Sequence, residues 1–326
     1  MMFEIQLPIS NKTLTADVPT TWNDMTAAQA AHVLKVFALP FPFAATALTA
    51  FSWKQIQILK ALTNWTDADL DEWQAERLQE NVPEEIAFIK GVAFGELVFL
   101  QDVANMCDIL TKNLAKQTEI ADEESRYELI PELTKNPYPK IEIATEKGKI
   151  KTFYAAKSDE ESPFDTMSLD ELSQVFTLWE SYRDEKNEAD FDEMLAIIYR
   201  PKRALKERLK KNYDGDIRET LEADRAEVDK RAALFSQHVS DNFRIVLDFH
   251  IASCRESIAA LYPSVFSRKN ELQTQQTGDW LDLIIALADD DFGKKDKIMR
   301  SNAHDSLGWA DRIREKAKKQ VVPTPQ

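Results

Sequence analysis

Residues 222–261 read EADRAEVDKRAALFSQHVSDNFRIVLDFHIASCRESIAAL, and their apolar side chains recur every three or four positions. This spacing places the side chains on one face of a helix. The residues that carry it are Val228, Ala232, Phe235, Val239, Phe243, Val246, Leu247 and Ile251. Pro263 follows and ends the pattern, because a proline ring cannot continue a helix. The spacing therefore predicts a long helical stretch and a mainly α-helical protein.

Helix start signals precede further apolar runs on both sides of this stretch. Each is a Ser or Thr with a partner three positions later that can accept or return a hydrogen bond at the helix start. The pairs are Thr26 with Gln29, Ser52 with Gln55, Thr66 with Asp69, and Ser168 with Glu171. We expect further helices at residues 83–114, 168–183, 191–199, 279–289 and 303–319.

Two segments alternate polar and apolar residues, a pattern typical of strands. One lies near residues 2–18 and the other near residues 140–155. Each contains a turn signal, and each predicts a β-hairpin. The expected fold class is therefore mainly α, a multi-helix, bundle-like architecture with two small hairpins.

An acidic, proline-containing stretch, SDEESPFD at residues 158–165, is typical of an exposed linker. We place the domain boundary there. The sequence analysis thus gives an N-terminal domain at residues 1–157, made of a hairpin and helices, and a helical domain at residues 158–326. A terminal piece of two helices is expected at about 278–326.

Composition excludes several classes of function. The formal net charge of -15 disfavours binding to nucleic acid or to an anionic membrane. The 7 glycines do not cluster, so neither common type of glycine-rich phosphate loop can form. Two cysteines are too few for a disulfide framework and fit a reducing cytoplasm. No apolar run reaches the roughly 18 residues that a membrane span needs, so we expect no membrane partner. We expect the protein in the host-cell cytoplasm or in the virion, and we expect no cofactor.

The sequence contains no catalytic or metal-binding motif. His250 and Cys254 are four residues apart and could face one metal ion, but no second pair completes a site. Their apolar neighbours favour burial in a helix core instead. The acidic run at 289–291 and the Asp-Gly-Asp at 214–216 lack the spacing of a calcium loop and favour turns.

The sharpest local anomaly is a basic segment at residues 200–211, which carries seven basic residues and one acid in an acidic chain. It could bind an acidic protein surface or nucleic acid. Alternatively, it could be a solvated helix face whose positive charge balances the acidic region at 158–193. Exposed tryptophans are further candidates for contact with a partner. The candidate partner-binding residues are Arg200, Lys202, Arg203, Lys206, Arg208, Trp22 and Trp309.

Several segments together resemble proteins encoded among the tail genes of phages and prophages of Bacteroidetes-like bacteria, including tail assembly chaperones. The segments are PTTWNDMTAAQ (19–29), LTKNPYPKIEI (133–143), MLAIIYRPK (194–202), GDIRE (215–219), KRAALFS (230–236) and DWLDLIIALADDDFGKKDKIMRSNAHDSLGW (279–309). The most distinctive is IYRPK at Ile198 to Lys202. The resemblance implies a role in the assembly of a tail or tail-like particle and supplies no active-site residue.

The leading hypothesis is therefore a non-enzymatic protein that binds components of a phage tail, either as an assembly chaperone or as a minor structural component. One alternative is a nucleic-acid-associated virion or packaging protein that uses residues 200–211. Another is an enzyme whose site is assembled from distant acids or His250 and is not visible in the sequence.

Overall fold

The computed structural model describes residues 2–7, 10–38, 57–63, 65–66, 68–73, 88–89, 92–93, 115–118, 126–144, 148–211, 213–221, 225–266 and 292–320. The expected helix start at Ser52 and the expected helix at 279–289 lie outside these residues. The chain forms two compact units, Met1–Glu132 and Leu133–Gln326. The division falls before the second hairpin, whereas the acidic linker at 158–165 led us to place it after the hairpin.

The first unit opens with the predicted hairpin. Strand β1 (Met2–Leu7) pairs antiparallel with β2 (Lys12–Asp17), and Ile5 lies opposite Leu14. Along β2 the buried Leu14 and Ala16 alternate with exposed residues, as the period of two in a strand requires. A short 3-10 turn at Trp22–Asp24 leads into helix α1 (Ala27–Ala38). The first predicted hairpin is thus confirmed.

Both predicted helix starts in the described part of this unit have the hydrogen bonds of a capping box. The amide of Gln29 donates to Thr26 Oγ1 at 3.2 Å, and the Thr26 amide donates to Gln29 Oε1 at 2.9 Å. Thr66 and Asp69 make the same exchange at 3.2 and 2.8 Å. Residues 57–62 and 68–73 are helical. These starts were readable because a capping box depends on a few adjacent residues alone.

The expected helix at residues 83–114 is wrong where the structure describes it. Strand β3 (Phe88–Ile89) pairs antiparallel with β4 (Val92–Ala93). Aromatic and β-branched residues such as Phe88, Ile89 and Val92 favour strands. A further antiparallel pair joins β5 (Ala115–Thr118) to β6 (Arg126–Leu129).

The second unit begins with the second predicted hairpin, which is also confirmed. Strand β7 (Lys140–Ala144) pairs with β8 (Ile150–Tyr154), and Ile141 lies opposite Phe153. Ile143 and Phe153 are buried in the apolar core formed by the following helices. This shared core explains why the hairpin belongs to the second unit.

Helices dominate the rest of this unit. They are α2 (Leu169–Glu185), α3 (Glu188–Ile198), α4 (Leu205–Arg208), α5 (Arg225–His238), α6 (Asp241–Leu261), α7 (Pro263–Phe266), α8 (Phe292–Met299) and α9 (Ala303–Gln320). The Ser168 hydroxyl accepts from the Glu171 amide at 3.2 Å, so the predicted start of α2 is confirmed. A mainly helical fold with small hairpins is therefore what the chain adopts.

The long stretch at 222–261 contains two helices rather than one. Helix α5 ends at His238, and Ser240 caps α6 with a hydroxyl that accepts from the Phe243 amide at 3.3 Å. Ser and Asp favour such a start because their side chains bond to free amides at a helix N-terminus. The apolar spacing continues across the break and concealed it.

The core of the second unit collects the apolar faces of α2, α3, α5 and α6. Its largest members with almost no exposed surface are Phe164, Phe176, Phe191, Tyr199 and Phe235. The buried hydroxyl of Tyr199 finds a partner in this core, because it donates to the carbonyl of Tyr138 at 2.9 Å. Among the described residues, no helix combines the length and apolar character needed to cross a membrane.

The cap of α6 gives a first test of this organisation. Replacing Ser240 by Ala should lower the free energy of unfolding of the second unit by about 1 kcal/mol, because the Phe243 amide loses its acceptor. Ser240→Asp, which retains an acceptor, should stay near the wild type. Urea denaturation of the full chain measures both values, and equal losses in the two variants would contradict the capping role.

Candidate functional site

The basic segment seen in the sequence belongs to a closed loop, which we call the basic loop, residues 201–219. Its two ends pair with each other: the Arg203 amide donates to the Ile217 carbonyl, and the Glu219 amide to the Pro201 carbonyl, each at 2.8 Å. Just before the loop, Arg200 and Tyr154 exchange two backbone hydrogen bonds at 2.8 and 3.1 Å. The base of the loop is thus tied to the edge of the β7–β8 hairpin.

Beneath this base lies a buried ion cluster of Glu171, Arg200, Asp216 and Arg218. Arg200 reaches Glu171 at 2.9 Å and Asp216 at 3.3 Å. Arg218 reaches the same two carboxylates at 3.1 and 2.8 Å. The arginine side chains are 1% and 0% exposed. Two positive and two negative groups balance, which buried charges require.

Arg218 also donates to backbone carbonyls at the end of α3. Its Nη1 lies 2.9 Å from the Ile198 oxygen, and its Nη2 lies 3.5 Å from the Thr166 oxygen. The last carbonyls of a helix have no partner within the helix and carry partial negative charge. The guanidinium therefore joins the start of α2, the end of α3 and the loop into one hydrogen-bonded unit.

Burial changes the electrostatics of Arg200. Removal from water, and next the like charge of Arg218, lower the pKa of Arg200 to about 10, while Glu171 and Asp216 act in the opposite direction. Arg200 stays protonated at neutral pH. Its charge is compensated inside the protein and is not offered to a partner.

The apex of the loop, residues 205–211, has a different character. One turn of helix, α4, places Leu205 and Leu209 on the same side, with a hydrogen bond from the Leu209 amide to the Leu205 carbonyl at 3.1 Å. These two leucines are 62% and 75% exposed. Nearby, Ile217 is 38% exposed. Two neighbouring leucines with such large exposed fractions, on a small hydrogen-bonded loop, mark a candidate contact surface.

Cations surround the two leucines. The apex reads LKERLKK, with four basic residues and one acid. Lys206, Lys210 and Lys211 are exposed, and among the described residues no carboxylate pairs with them. The apex therefore combines apolar side chains with lysines that pair with no carboxylate in the described part of the chain.

Side-chain contacts hold the apex on the base. Arg203 donates to the Arg218 carbonyl at 2.9 Å and to Asp214 at 3.0 Å, and its guanidinium lies 5.6 Å from the centre of the Tyr213 ring. Arg208 Nε donates to the Arg203 carbonyl at 3.2 Å. Gly215, with φ of +86°, supplies the left-handed turn through which the chain returns. The predicted turn at 214–216 is thus confirmed.

The predicted contact residues divide between surface and interior. Lys202 and Lys206 are exposed, and Lys202 lies 5.4 Å over the Tyr154 ring. Arg203 and Arg208 are half-buried and hold the loop together. Arg200 and Trp22, at 1% and 0% exposure, are buried and cannot make surface contacts in this structure. Both had been selected by residue type, and residue type does not reveal burial.

Trp309 is the predicted contact residue that lies apart from the basic loop. It is 43% exposed on α9, one turn before Ile313, which is 44% exposed. The two side chains share one face of the helix. In the sequence this face lies far from the leucines of the apex.

His250 and Cys254 are fully buried, as predicted, and form a small polar cluster with Ser158. His250 Nδ1 lies 2.7 Å from the Leu133 carbonyl, and Cys254 Sγ lies 3.7 Å from the imidazole and 3.5 Å from Ser158 Oγ. Burial lowers the pKa of His250 to about 4 and raises the pKa of Cys254 to about 12. A reactive cysteine needs the opposite shift, so this pair is suited to packing rather than to nucleophilic chemistry.

Three members of the ion cluster were not among the predicted contact residues: Glu171, Asp216 and Arg218. Glu171 was assigned to a capping box, but its carboxylate pairs with Arg200 and Arg218. Asp216 was read only as a turn residue. The available signal was the balance between the acidic 158–193 region and the basic segment, since Glu171 and Arg200 are one such pair. Among the described residues, no group of three His, Cys, Asp or Glu side chains could hold a metal ion.

Comparisons with protein-family models, with curated proteins and with solved structures found no match to this chain.

Proposed function

We propose that this chain is a non-enzymatic protein that binds another polypeptide during assembly of a phage tail or tail-like particle, as an assembly chaperone or a minor structural component. The assembly context comes from the sequence resemblance described above. The observation that carries the binding role is the apex of the basic loop, where Leu205 and Leu209 face solvent. Backbone hydrogen bonds between residues 201–203 and 217–219 hold the base of this loop.

The rigidity of the base supports a binding role for the apex. A contact surface that is already ordered loses less conformational entropy when a partner binds. The ion cluster and the backbone pairing at 201–219 supply this order without using the apex side chains. The two leucines therefore remain available to exclude water against a partner.

The test is co-expression of the tagged full chain with the tail proteins encoded beside it. We expect one tail protein to copurify in a complex of fixed stoichiometry by size-exclusion chromatography with light scattering. Assay of purified particles then separates the two roles, because a structural component stays in the particle and a chaperone does not.

A matched pair of variants connects the complex to the apex. Leu205→Ser combined with Leu209→Ser should weaken the complex, whereas Ile150→Ser should not, although Ile150 is 67% exposed on the hairpin. The proposed function fails if the wild-type chain forms no complex with any tail protein and is absent from particles.

A further inference from the structure

The chemistry of the apex narrows the kind of partner, and this step rests on the proposed function. We propose that residues 205–211 bind an acidic, amphipathic segment of a partner polypeptide, with its carboxylates on the lysines and its apolar side chains on the leucines. Three features of the loop favour this partner: its charge, its apolar surface and the packing of its one aromatic ring under Arg203.

Charge complementarity gives the sign of the charge on the partner. Lys206, Lys210 and Lys211 are exposed, and none of the described carboxylates pairs with them. They stand on a chain of net charge -15, so the local field differs in sign from that of the whole molecule. A carboxylate-rich segment is attracted to the apex and repelled by the net negative charge of the chain, which favours binding in one orientation.

Apolar surface identifies the partner as a polypeptide. The side chains of Leu205 and Leu209 are 62% and 75% exposed. They lie one helical turn apart, which matches apolar side chains that recur every three or four positions on a partner helix. Phosphate groups would leave these leucines in water and gain nothing from them.

The aromatic ring of the loop argues against nucleic acid as the partner. Single-stranded nucleic acid is held by bases that stack on exposed aromatic rings. Tyr213 is the aromatic residue of the basic loop, and its ring already lies under the Arg203 guanidinium at 5.6 Å. The net charge of -15 also opposes approach of a polyanion as long as DNA. A short acidic polypeptide needs no stacking surface, and it carries fewer negative charges than a long DNA, so the net charge of the chain opposes its approach less.

Fluorescence anisotropy with designed peptides tests the proposal on the full chain. The probe is a labelled peptide of about 15 residues, long enough for a marginal helix, with leucines every three or four positions and glutamates between them. Two matched peptides replace every glutamate by glutamine or every leucine by serine. We expect at least about tenfold tighter binding of the acidic leucine peptide than of either control.

Variants of the chain assign the binding to the apex. Leu205→Ser with Leu209→Ser should weaken binding of the probe by about 10- to 100-fold, since two apolar contacts are lost. Lys206→Gln with Lys210→Gln should weaken it about tenfold and reduce its dependence on salt. The controls are Ile150→Ser and Lys151→Gln on the hairpin, which should bind as the wild type does.

Three results overturn the proposal. One is equal binding of the acidic and the glutamine peptides. Another is tighter binding of a 20-base-pair DNA duplex or of phosphatidylserine vesicles that is lost with Lys206→Gln and Lys210→Gln. The third is concentration-dependent self-association that the serine variants abolish, which assigns the apex to a second copy of the chain.

The outcomes also separate this inference from the proposed function. If a tail protein copurifies equally well with the wild type and with Leu205→Ser/Leu209→Ser, the proposed function stands and the docking inference is wrong. If the wild type binds the acidic peptide but no tail protein, the inference stands and the assembly role is wrong.

Discussion

Arg218→Ala is expected to lower the free energy of unfolding of the second unit by about 3–5 kcal/mol. The guanidinium has no exposed surface and bonds to Asp216, Glu171 and backbone carbonyls at the end of α3. Its removal leaves two carboxylates against one arginine inside the protein. An uncompensated buried charge is costly because it has given up its hydration.

The loss of stability in Arg218→Ala should be seen in the basic loop as well as in the unfolding of the whole second unit. Because Arg218 joins the base of the basic loop to α2 and α3, hydrogen exchange of the amides at 203–217 should accelerate in Arg218→Ala. Hydrogen exchange followed by mass spectrometry on the full chain measures the loop and the helices separately. This resolves the second unit even if the two units unfold independently.

Arg225→Ala is the matched control. Arg225 also pairs with two carboxylates, Glu193 and Asp229, but its side chain is 63% exposed. Exposed ion pairs are screened by water and salt, so a loss of at most about 1 kcal/mol is expected. If the two arginine variants are equally stable, the buried cluster does not hold the loop, and the ordered base on which the proposed function relies is absent.

A double-mutant cycle measures the interaction energy between Arg218 and Asp216. Arg218→Met combined with Asp216→Leu should be less destabilised than the sum of the single variants, because the pair is removed together. Additive effects would mean that the two side chains do not interact.

The sequence predicted those parts of the fold that depend on neighbouring residues. The capping box at Thr26 and the Ser168 cap of α2 formed as expected, and alternation located both hairpins. Apolar spacing predicted α2, α3 and α9 and the helical stretch that contains α5 and α6, but not α4, α7 or α8. It did not reveal the break at Ser240, because the same spacing can continue across two helices that share one core.

What the sequence could not supply was the pairing of residues distant along the chain. Glu171 and Arg218 are separated by 47 positions, and nothing local indicates that they meet. The same limit applies to the basic segment. Its seven cations looked equivalent, yet the fold buries Arg200 and leaves the lysines of the apex in water. Leu205 and Leu209 were not considered, because exposure of a leucine follows only from tertiary structure.

Acidification from pH 6.5 to pH 4 is expected to destabilise the wild-type chain by about 3 kcal/mol more than His250→Asn. Burial lowers the pKa of His250 to about 4 from an ordinary value of 6.5. Each unit of such a difference corresponds to about 1.36 kcal/mol. The imidazole is fully buried, so this conversion is not reduced by solvent screening.

The sign follows from counting protons in the two states. Above pH 6.5 His250 is neutral both folded and unfolded, and it adds no pH dependence. Between pH 6.5 and 4 the unfolded chain holds the extra proton, so the free energy of unfolding falls as the pH falls. Below about pH 4 both states are protonated, and this contribution becomes constant.

The surroundings of the ring explain why the folded state resists the proton. A carbonyl only accepts, so Nδ1 carries the hydrogen and donates to Leu133 at 2.7 Å. Cys254 Sγ lies 3.7 Å from each ring nitrogen, and the Phe164 ring packs against the imidazole with centroids 5.5 Å apart. Among the described residues, no carboxylate acts to raise the pKa of this histidine. A second proton would create a charge without a counterion.

His250→Asn is the informative replacement, because the amide nitrogen of asparagine can take the place of Nδ1 and keep the bond to Leu133. The smaller side chain costs stability equally at every pH. Ser253→Ala is the control: it removes the hydroxyl bond to the Phe249 carbonyl on the same helix and retains His250. Urea denaturation at a series of pH values should give parallel curves for the wild type and Ser253→Ala, and a flatter curve for His250→Asn. Three parallel curves would mean that His250 accepts its proton without unfolding, and the buried cluster would then have to open to water at acid pH.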